Sequence, residues 1–319
     1  MRKQWKQTWN TCFRNASSCE MTAIYPELTD CHICPRHCGI DRYQAQGFCR
    51  ASAEVEINLA QLHHGEEPVL SGTRGSGTIF FSHCNLQCVF CQNYRISALG
   101  WGKPATSREC VQMMLDLQDK GAHNINLVTP THYSLQLADI LTQAKEHGLH
   151  IPIVWNSNAY ETVDTLKRLE GLVDIYLPDL KYAHGVHAGA YSAAKDYPQL
   201  ARQAISEMHR QVGNLVTDKA GIAIKGLIVR MLVLPNRLAG VSDSLRWIYD
   251  NLGNQVYLSI MAQYYPAWKA AEFPQINRGI TAAEYDDVLQ TVHSLGFERG
   301  FLQELSCTDA WTPVFAGEQ

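Results

Sequence analysis

The sequence predicts an α/β chain, and three observations carry that expectation. Six short apolar runs recur from Thr78 onward, helical stretches with start and stop signals lie between them, and a Cys-rich segment without sustained periodicity precedes the first run. The runs are 78–82, 124–129, 151–156, 173–177, 227–234 and 255–263. Each is short and continuously apolar, as strands buried on both faces of a parallel sheet are.

The intervening helices follow from local signals. Thr106 followed by Glu109 has capping-box spacing before a helix over 107–120, and Gly121 stops it. A second helix runs over 134–147 and ends at Gly148, and a third covers 161–169 and ends at Gly171. In the fourth, 199–215, Leu200, Ala204, Ile205, Met208 and Val212 share one face. A fifth follows Ser242, and a sixth follows Thr281 with Glu284 three residues on. Six strand–helix alternations predict a parallel barrel or a doubly wound open sheet. In either, ligands gather beyond the C-terminal ends of the strands.

Texture divides the chain into a Cys-rich lobe over 1–76, a core over 77–305 and a tail over 306–319. The lobe is rich in Cys, His, Arg and Gly, so ligands more than core are expected to hold it. Within it, His63–His64 and Glu66–Glu67 read as a solvated loop, with a lid or peptide contact as the other reading.

Composition narrows the function. Of 319 residues, 46% are hydrophobic and 18% charged, which excludes a disordered chain. The net charge of -4 argues against nucleic acid as a partner, because duplex binding leaves a basic footprint. No apolar run approaches the roughly 20 residues of a membrane span. The first ten residues lack the apolar core of a secretory signal, so a soluble, cytoplasmic protein is expected.

The eleven cysteines are the strongest signal. The count is odd and nothing indicates secretion, so metal ligation is favoured over a disulfide framework. Cys31, Cys34, Cys38 and Cys49 form one group and Cys84, Cys88 and Cys91 another; Cys12, Cys19, Cys110 and Cys307 are scattered and read as small buried or surface thiols. Cys84, Cys88 and Cys91 have C-x3-C-x2-C spacing in the loop directly after the first strand. Three thiolates there suit three corners of a four-iron cubane, which leaves one iron open to an exogenous ligand. A closed zinc site wants four ligands, and the neighbouring His83 folds awkwardly onto the same ion.

This loop, "SHCNLQCVFCQNYRIS" with Phe90 before Cys91, resembles the signature of the radical S-adenosylmethionine superfamily. The resemblance implies a partial (β/α)6 barrel over roughly 78–305, a 4Fe-4S cluster, and reductive cleavage of S-adenosylmethionine to a 5′-deoxyadenosyl radical that abstracts hydrogen. Within the superfamily, "CHICPRHCGIDRYQAQGFCR", "GEEPVLSGTRGSGTIFF" and "CQNYRIS" resemble the pyruvate formate-lyase-activating-like group. That implies a glycyl radical enzyme as partner and an electron donor such as flavodoxin or ferredoxin.

The other strand ends follow from the same resemblance. Where many members carry Gly-Gly-Glu for the methionine ammonium, this chain has Thr129, Pro130, Thr131 and His132. A threonine hydroxyl or strand-end carbonyl can accept those hydrogen bonds, or Thr131 caps the next helix. Asn156, Ser157 and Asn158 are expected to contact the ribose, line the substrate groove, or form a turn. The resemblance assigns Asp179 to a monovalent cation and Lys181 to the cofactor carboxylate; a surface ion pair is the other reading. Arg230 lies in an apolar strand and is costly there unless it meets the cofactor or an acid. Gln263, Tyr264 and Tyr265 either contact substrate or pack.

Cys31, Cys34, Cys38 and Cys49, spaced C-x2-C-x3-C-x10-C, suit a tetrahedral zinc or a second cluster, with His32 and His37 as spare ligands. A second cluster there is a candidate electron relay. Three functions remain from sequence: a glycyl radical activase, a radical enzyme acting on a small molecule or peptide, and a non-catalytic metal-stabilised binding protein.

Overall fold

The computed structural model describes residues 25–305 and 313–317, so Cys12, Cys19 and Cys307 lie outside the described residues. Its strands are β1 (Val55–His63), β2 (Ser76–Phe81), β3 (Lys103–Ala105), β4 (Ile125–Val128), β5 (Ile153–Ser157), β6 (Ile175–Pro178), β7 (Val216–Thr217), β8 (Ala223–Leu232), β9 (Tyr257–Met261) and β10 (Gly300–Leu302). The helices of six or more residues are α1 (Ser107–Asp119), α2 (Ser134–Glu146), α3 (Val163–Arg168), α4 (Gly185–Ser192), α5 (Tyr197–Val212), α6 (Val241–Leu252) and α7 (Ala282–Ser294).

The sheet runs in the order β10-β9-β8-β6-β5-β4-β2-β1-β3, with β7 paired to β8. From β2 to β10 every neighbouring pair along that order is parallel. Every residue of β2, β4, β5 and β6 is buried, which is why each reads as an unbroken apolar run. The helix signals are present as atoms: both Thr106–Glu109 and Thr281–Glu284 form complete capping boxes. Gly121 and Gly148 stop α1 and α2 at φ of +87° and +99°, a backbone region that side chains with a Cβ disfavour.

Several readings of the sequence are corrected by the structure. Residues 55–63, read from sequence as part of a ligand-held lobe, form strand β1, which pairs antiparallel with β2 and with β3. Most of β1 is only half-buried, so its apolar signal is diluted by polar neighbours. The stretch His63–Glu67 is not a solvated loop: His63 ends β1, and Glu67 is buried. Thr131 is not a cap; it begins a 3-10 turn, and α2 starts after Tyr133 with no side-chain cap.

The start of the barrel is plugged by the chain itself. The helical turn Pro68–Ser71 sits against residues that precede β4 and β8: Asn124 Nδ2 donates to the Leu70 carbonyl at 2.9 Å, and Gly72 lies against His123 and Ile222. Leu70 is fully buried among Val154, Ile175, Leu177 and Ile228. At the far edge, residues after β10 return to β1: Ala316 N–H donates to Asn58 Oδ1 at 3.0 Å, and Phe315 packs edge-on to Phe80. Among the described residues no helix is long and apolar enough to cross a membrane.

Candidate active site

A cavity of about 500 Å³ occupies the barrel, with Cys84, Cys88 and Cys91 in its lining at one end and Glu66, Glu67 and Gly72 at the plug. The cysteine loop leaves the end of β2, and three polar side chains from other elements reach its thiols. Asn158, just beyond β5, donates to Cys84 Sγ at 3.4 Å; Ser192, at the end of α4, donates to Cys88 Sγ at 3.0 Å; Ser97 Oγ lies 3.1 Å from Cys91 Sγ. Burial raises the Cys88 thiol above its ordinary value and pushes Cys91 up to about 12, while the Lys181 charge opposes both shifts. Three thiols on one side of an open cavity fit a cluster with three protein corners and do not complete a tetrahedral zinc site. Among the described residues, no three or more His, Cys, Asp or Glu side chains form a group able to hold a single metal ion.

His83 takes no part: its ring turns to Glu56 on β1, 3.2 Å away. Phe90 packs edge-on to Tyr182 and Tyr264, which anchors the loop between its last two cysteines.

The ends of β5, β6 and β8 carry a charged cluster. Asp179 accepts from Lys181 Nζ at 2.7 Å through Oδ2 and from Arg230 Nε at 2.8 Å through Oδ1. Arg230 also donates to Asn156 Oδ1 at 2.5 Å and to Glu66 Oε2 at 3.4 Å. Burial alone would raise the Asp179 carboxyl, but Arg230 and then Lys181 outweigh it and hold it below the ordinary range. Burial depresses Lys181, and Asp179 more than restores it, so its pKa ends raised. Tyr197 braces this end, its single hydroxyl proton shared between the carbonyls of Asp179 at 2.7 Å and Asn158 at 2.9 Å while its oxygen accepts from Lys181 N–H.

Thr129 lines the cavity with φ at +59°, an uncommon conformation for a β-branched residue, and its N–H donates to the Asn156 carbonyl. Thr131 and His132 do not line it. Thr131 is buried and donates to Glu161; His132 is buried against the four-cysteine lobe, with Nε2 2.8 Å from the Ser82 carbonyl and its pKa lowered by burial to about 3. Ser157 lines the cavity yet donates to Glu161 at 2.7 Å. Gln263 lines the cavity, whereas Tyr264 is core, donating to the Ile276 carbonyl.

Sequence reasoning missed several members. Glu161 is wholly buried and collects hydrogen bonds from Thr131, Trp155 and Ser157, which locks the turns after β4 and β5 together; burial still leaves its pKa raised. Glu66 enters the lumen from the plug, where burial, opposed by Arg230 and aided by Glu67 and Asp179, pushes it up to about 7. Ser192 carries no motif, and only the fold brings it 104 positions back to Cys88.

Four cysteines of the lobe line one small cavity together: Cys31, Cys34, Cys38 and Cys49, with Arg36, His37, Arg42 and His132 around them. Among the scattered thiols, Cys110 is buried in the core on α1, as a small apolar residue would be.

A profile of the radical SAM superfamily matches residues 78–207. A protein of Methanocaldococcus jannaschii, the uncharacterized MJ0674, is 35% identical over 271 residues, 82% of this chain and 73% of the other. A second uncharacterized protein of that organism, MJ0808, is 24% identical over 79% of this chain and 76% of its own. The chain belongs to the radical SAM superfamily. Among solved structures, HydG, a maturase of the [FeFe]-hydrogenase, aligns at a TM-score of 0.49 and 14% identity, over 68% of this chain and 49% of that one. Methylornithine synthase (PylB) aligns at 0.44 and 15%, over 66% and 59%. Membership implies a 4Fe-4S cluster, S-adenosylmethionine and an electron donor, and makes this chain an enzyme of that superfamily.

Proposed function

We propose that this enzyme binds S-adenosylmethionine in the barrel cavity and activates a glycyl radical enzyme by abstracting hydrogen from one of its glycines, with a flavodoxin- or ferredoxin-class protein as donor. The observation that carries the chemistry is the placement of Cys84, Cys88 and Cys91 beside Lys181 on one open cavity. When bound there, a 4Fe-4S cluster with one open iron supplies the electron that breaks the sulfonium carbon–sulfur bond. The chain's own residues do the rest. Lys181 offers its ammonium to the cofactor carboxylate, held in place by Asp179. Thr129 and Asn156 present polar atoms at the strand ends, and Phe80, Leu86 and Phe90 give the cavity apolar walls that limit water. The activase reading rests on the resemblance of the lobe and of Asp179-x-Lys181 to activating enzymes.

A second reading, a small molecule or peptide as substrate, is favoured by the returning chain at residues 313–317. Pro313 lines the cavity and Phe315 packs on Phe80, so the returning chain narrows that side of it. Anaerobic reconstitution with dithionite and S-adenosylmethionine tests both readings, and formation of 5′-deoxyadenosine is expected. Its absence from fully loaded protein overturns the radical reading. A glycyl doublet in the electron paramagnetic resonance spectrum of an added partner protein selects the first reading, and turnover of a small substrate without one selects the second.

A further inference from the structure

The cysteine-rich lobe is fastened to the rest of the protein at the cluster loop itself. Arg36, two residues after Cys34, donates through Nε to the Asn85 carbonyl at 2.8 Å and through Nη2 to the Ser192 carbonyl at 2.9 Å. Its guanidinium also lies over the Phe48 ring, 3.6 Å from the centroid, next to Cys49. Asn85 follows Cys84, and the Ser192 hydroxyl is the one that donates to Cys88. One arginine therefore ties the ligand segment of the lobe to the residue after Cys84 and to Ser192, whose hydroxyl reaches Cys88.

A shorter path runs beside it. The Asn85 amide lies near the Cys34 thiol, with Nδ2 donating to the Tyr160 carbonyl at 2.7 Å; its Oδ1 accepts from Asn158 Nδ2 at 2.9 Å, and the same Asn158 Nδ2 lies 3.4 Å from Cys84 Sγ. Two amide side chains thus span from a thiol of one group to a thiol of the other. Both asparagines are buried, so water does not replace them.

The lobe is also shaped for a bound group. Cys31, Cys34 and Cys49 are buried and face one cavity with Cys38. A Cβ on Gly47 would stand 2.9 Å from Cys38 Sγ, so glycine is what lets that thiol in. His132, 1% exposed, lines the same cavity; its Nε2 faces the Ser82 carbonyl, and its Nδ1 has no hydrogen-bond partner in the protein.

We propose that Cys31, Cys34, Cys38 and Cys49 ligate a second iron–sulfur cluster, and that the Asn85–Asn158 amide pair couples it to the cluster held by Cys84, Cys88 and Cys91. A zinc ion is redox-inert, and lobe stability alone does not call for a ligand segment tied through Arg36, Asn85 and Asn158 to the catalytic loop. In use, one electron from a low-potential donor protein enters the lobe and one leaves it for the catalytic cluster, with no bond made or broken. Of the proposed function, this inference uses only the radical chemistry and is indifferent to the substrate.

The test is metal analysis and spectroscopy on the full chain, purified and reconstituted without oxygen. About eight irons per chain are expected, two cubanes, with zinc far below one per chain. Cys34→Ser with Cys38→Ser, and separately Cys84→Ser with Cys88→Ser and Cys91→Ser, should each leave about four. The reduced wild type should show a paramagnetic signal split by a neighbouring spin, and each variant set an unsplit one. Asn85→Leu should keep about eight irons while the splitting shrinks and the midpoint potential of one cluster shifts. One zinc per chain with about four irons, or iron lost completely with the catalytic cysteines alone, overturns the proposal. The wild-type zinc-to-iron ratio decides even if the lobe variants fail to fold, and 5′-deoxyadenosine formation by a zinc-containing chain would overturn this inference while leaving the proposed function standing.

Discussion

Arg230 Nε donates to Asp179 Oδ1 at 2.8 Å, joining the ends of β8 and β6 inside a cavity where both groups are largely buried. Removing the acid leaves two cations, Arg230 and Lys181, without their main counter-charge. Asp179→Asn should therefore destabilise the fold by about 3–5 kcal/mol, the cost of an uncompensated buried charge. Urea denaturation at neutral pH measures it; the midpoint should fall with the slope unchanged.

Lys181 is the cationic group closest in sequence to that pair. Lys181→Met should weaken S-adenosylmethionine binding by about 10- to 100-fold, the loss of one charge-assisted hydrogen bond of about 1.5–3 kcal/mol. Iron content should be unaffected. Anaerobic equilibrium dialysis checks the affinity and a colorimetric assay the iron.

Glu66 has its pKa raised from 4.5 to about 7 in the folded chain, by burial first. The unfolded chain ionises first as pH rises, so this group's contribution to stability is full below pH 4.5 and is lost as pH climbs toward 7. In Glu66→Gln that decline should disappear. Denaturation midpoints at a series of pH values give the difference directly.

Ser192→Ala removes the hydroxyl that donates to Cys88 Sγ. Donors to cluster thiolates favour the reduced, more negative state, so the midpoint potential should fall by tens of millivolts, the one-electron equivalent of about 1 kcal/mol. Potentiometric titration followed by paramagnetic resonance reads it.

Leu70→Ala in the plug should cost about 2–5 kcal/mol, because a wholly buried side chain leaves a void beneath the strands. Leu70→Met should cost less than about 1.5 kcal/mol. Thermal unfolding of the two variants side by side separates volume from polarity.

The parts that were legible in the sequence are those with a local cause. Buried parallel strands show as apolar runs, Thr106–Glu109 and Thr281–Glu284 as capping boxes, and Cys84, Cys88 and Cys91 as a spacing. β1 escaped because a half-buried antiparallel strand alternates weakly, and β10 because three residues carry no period. Glu66 and Ser192 escaped for another reason. Their roles depend on partners 164 and 104 positions away, Arg230 and Cys88, and no local pattern encodes such a meeting. Thr131 and His132 were drawn into the site by their place after a strand, whereas backbone direction turns both away from the cavity.

Among the described residues the open sheet ends in two unpaired strand edges, where foreign chains can add strands and seed aggregation. Both are blunt. β10 and β3 are three residues each, and β3 presents Lys103 and Pro104 to solvent, one repelling a newcomer by charge and the other withholding an N–H. The unclosed barrel thus offers an incoming strand little to pair with along either described rim.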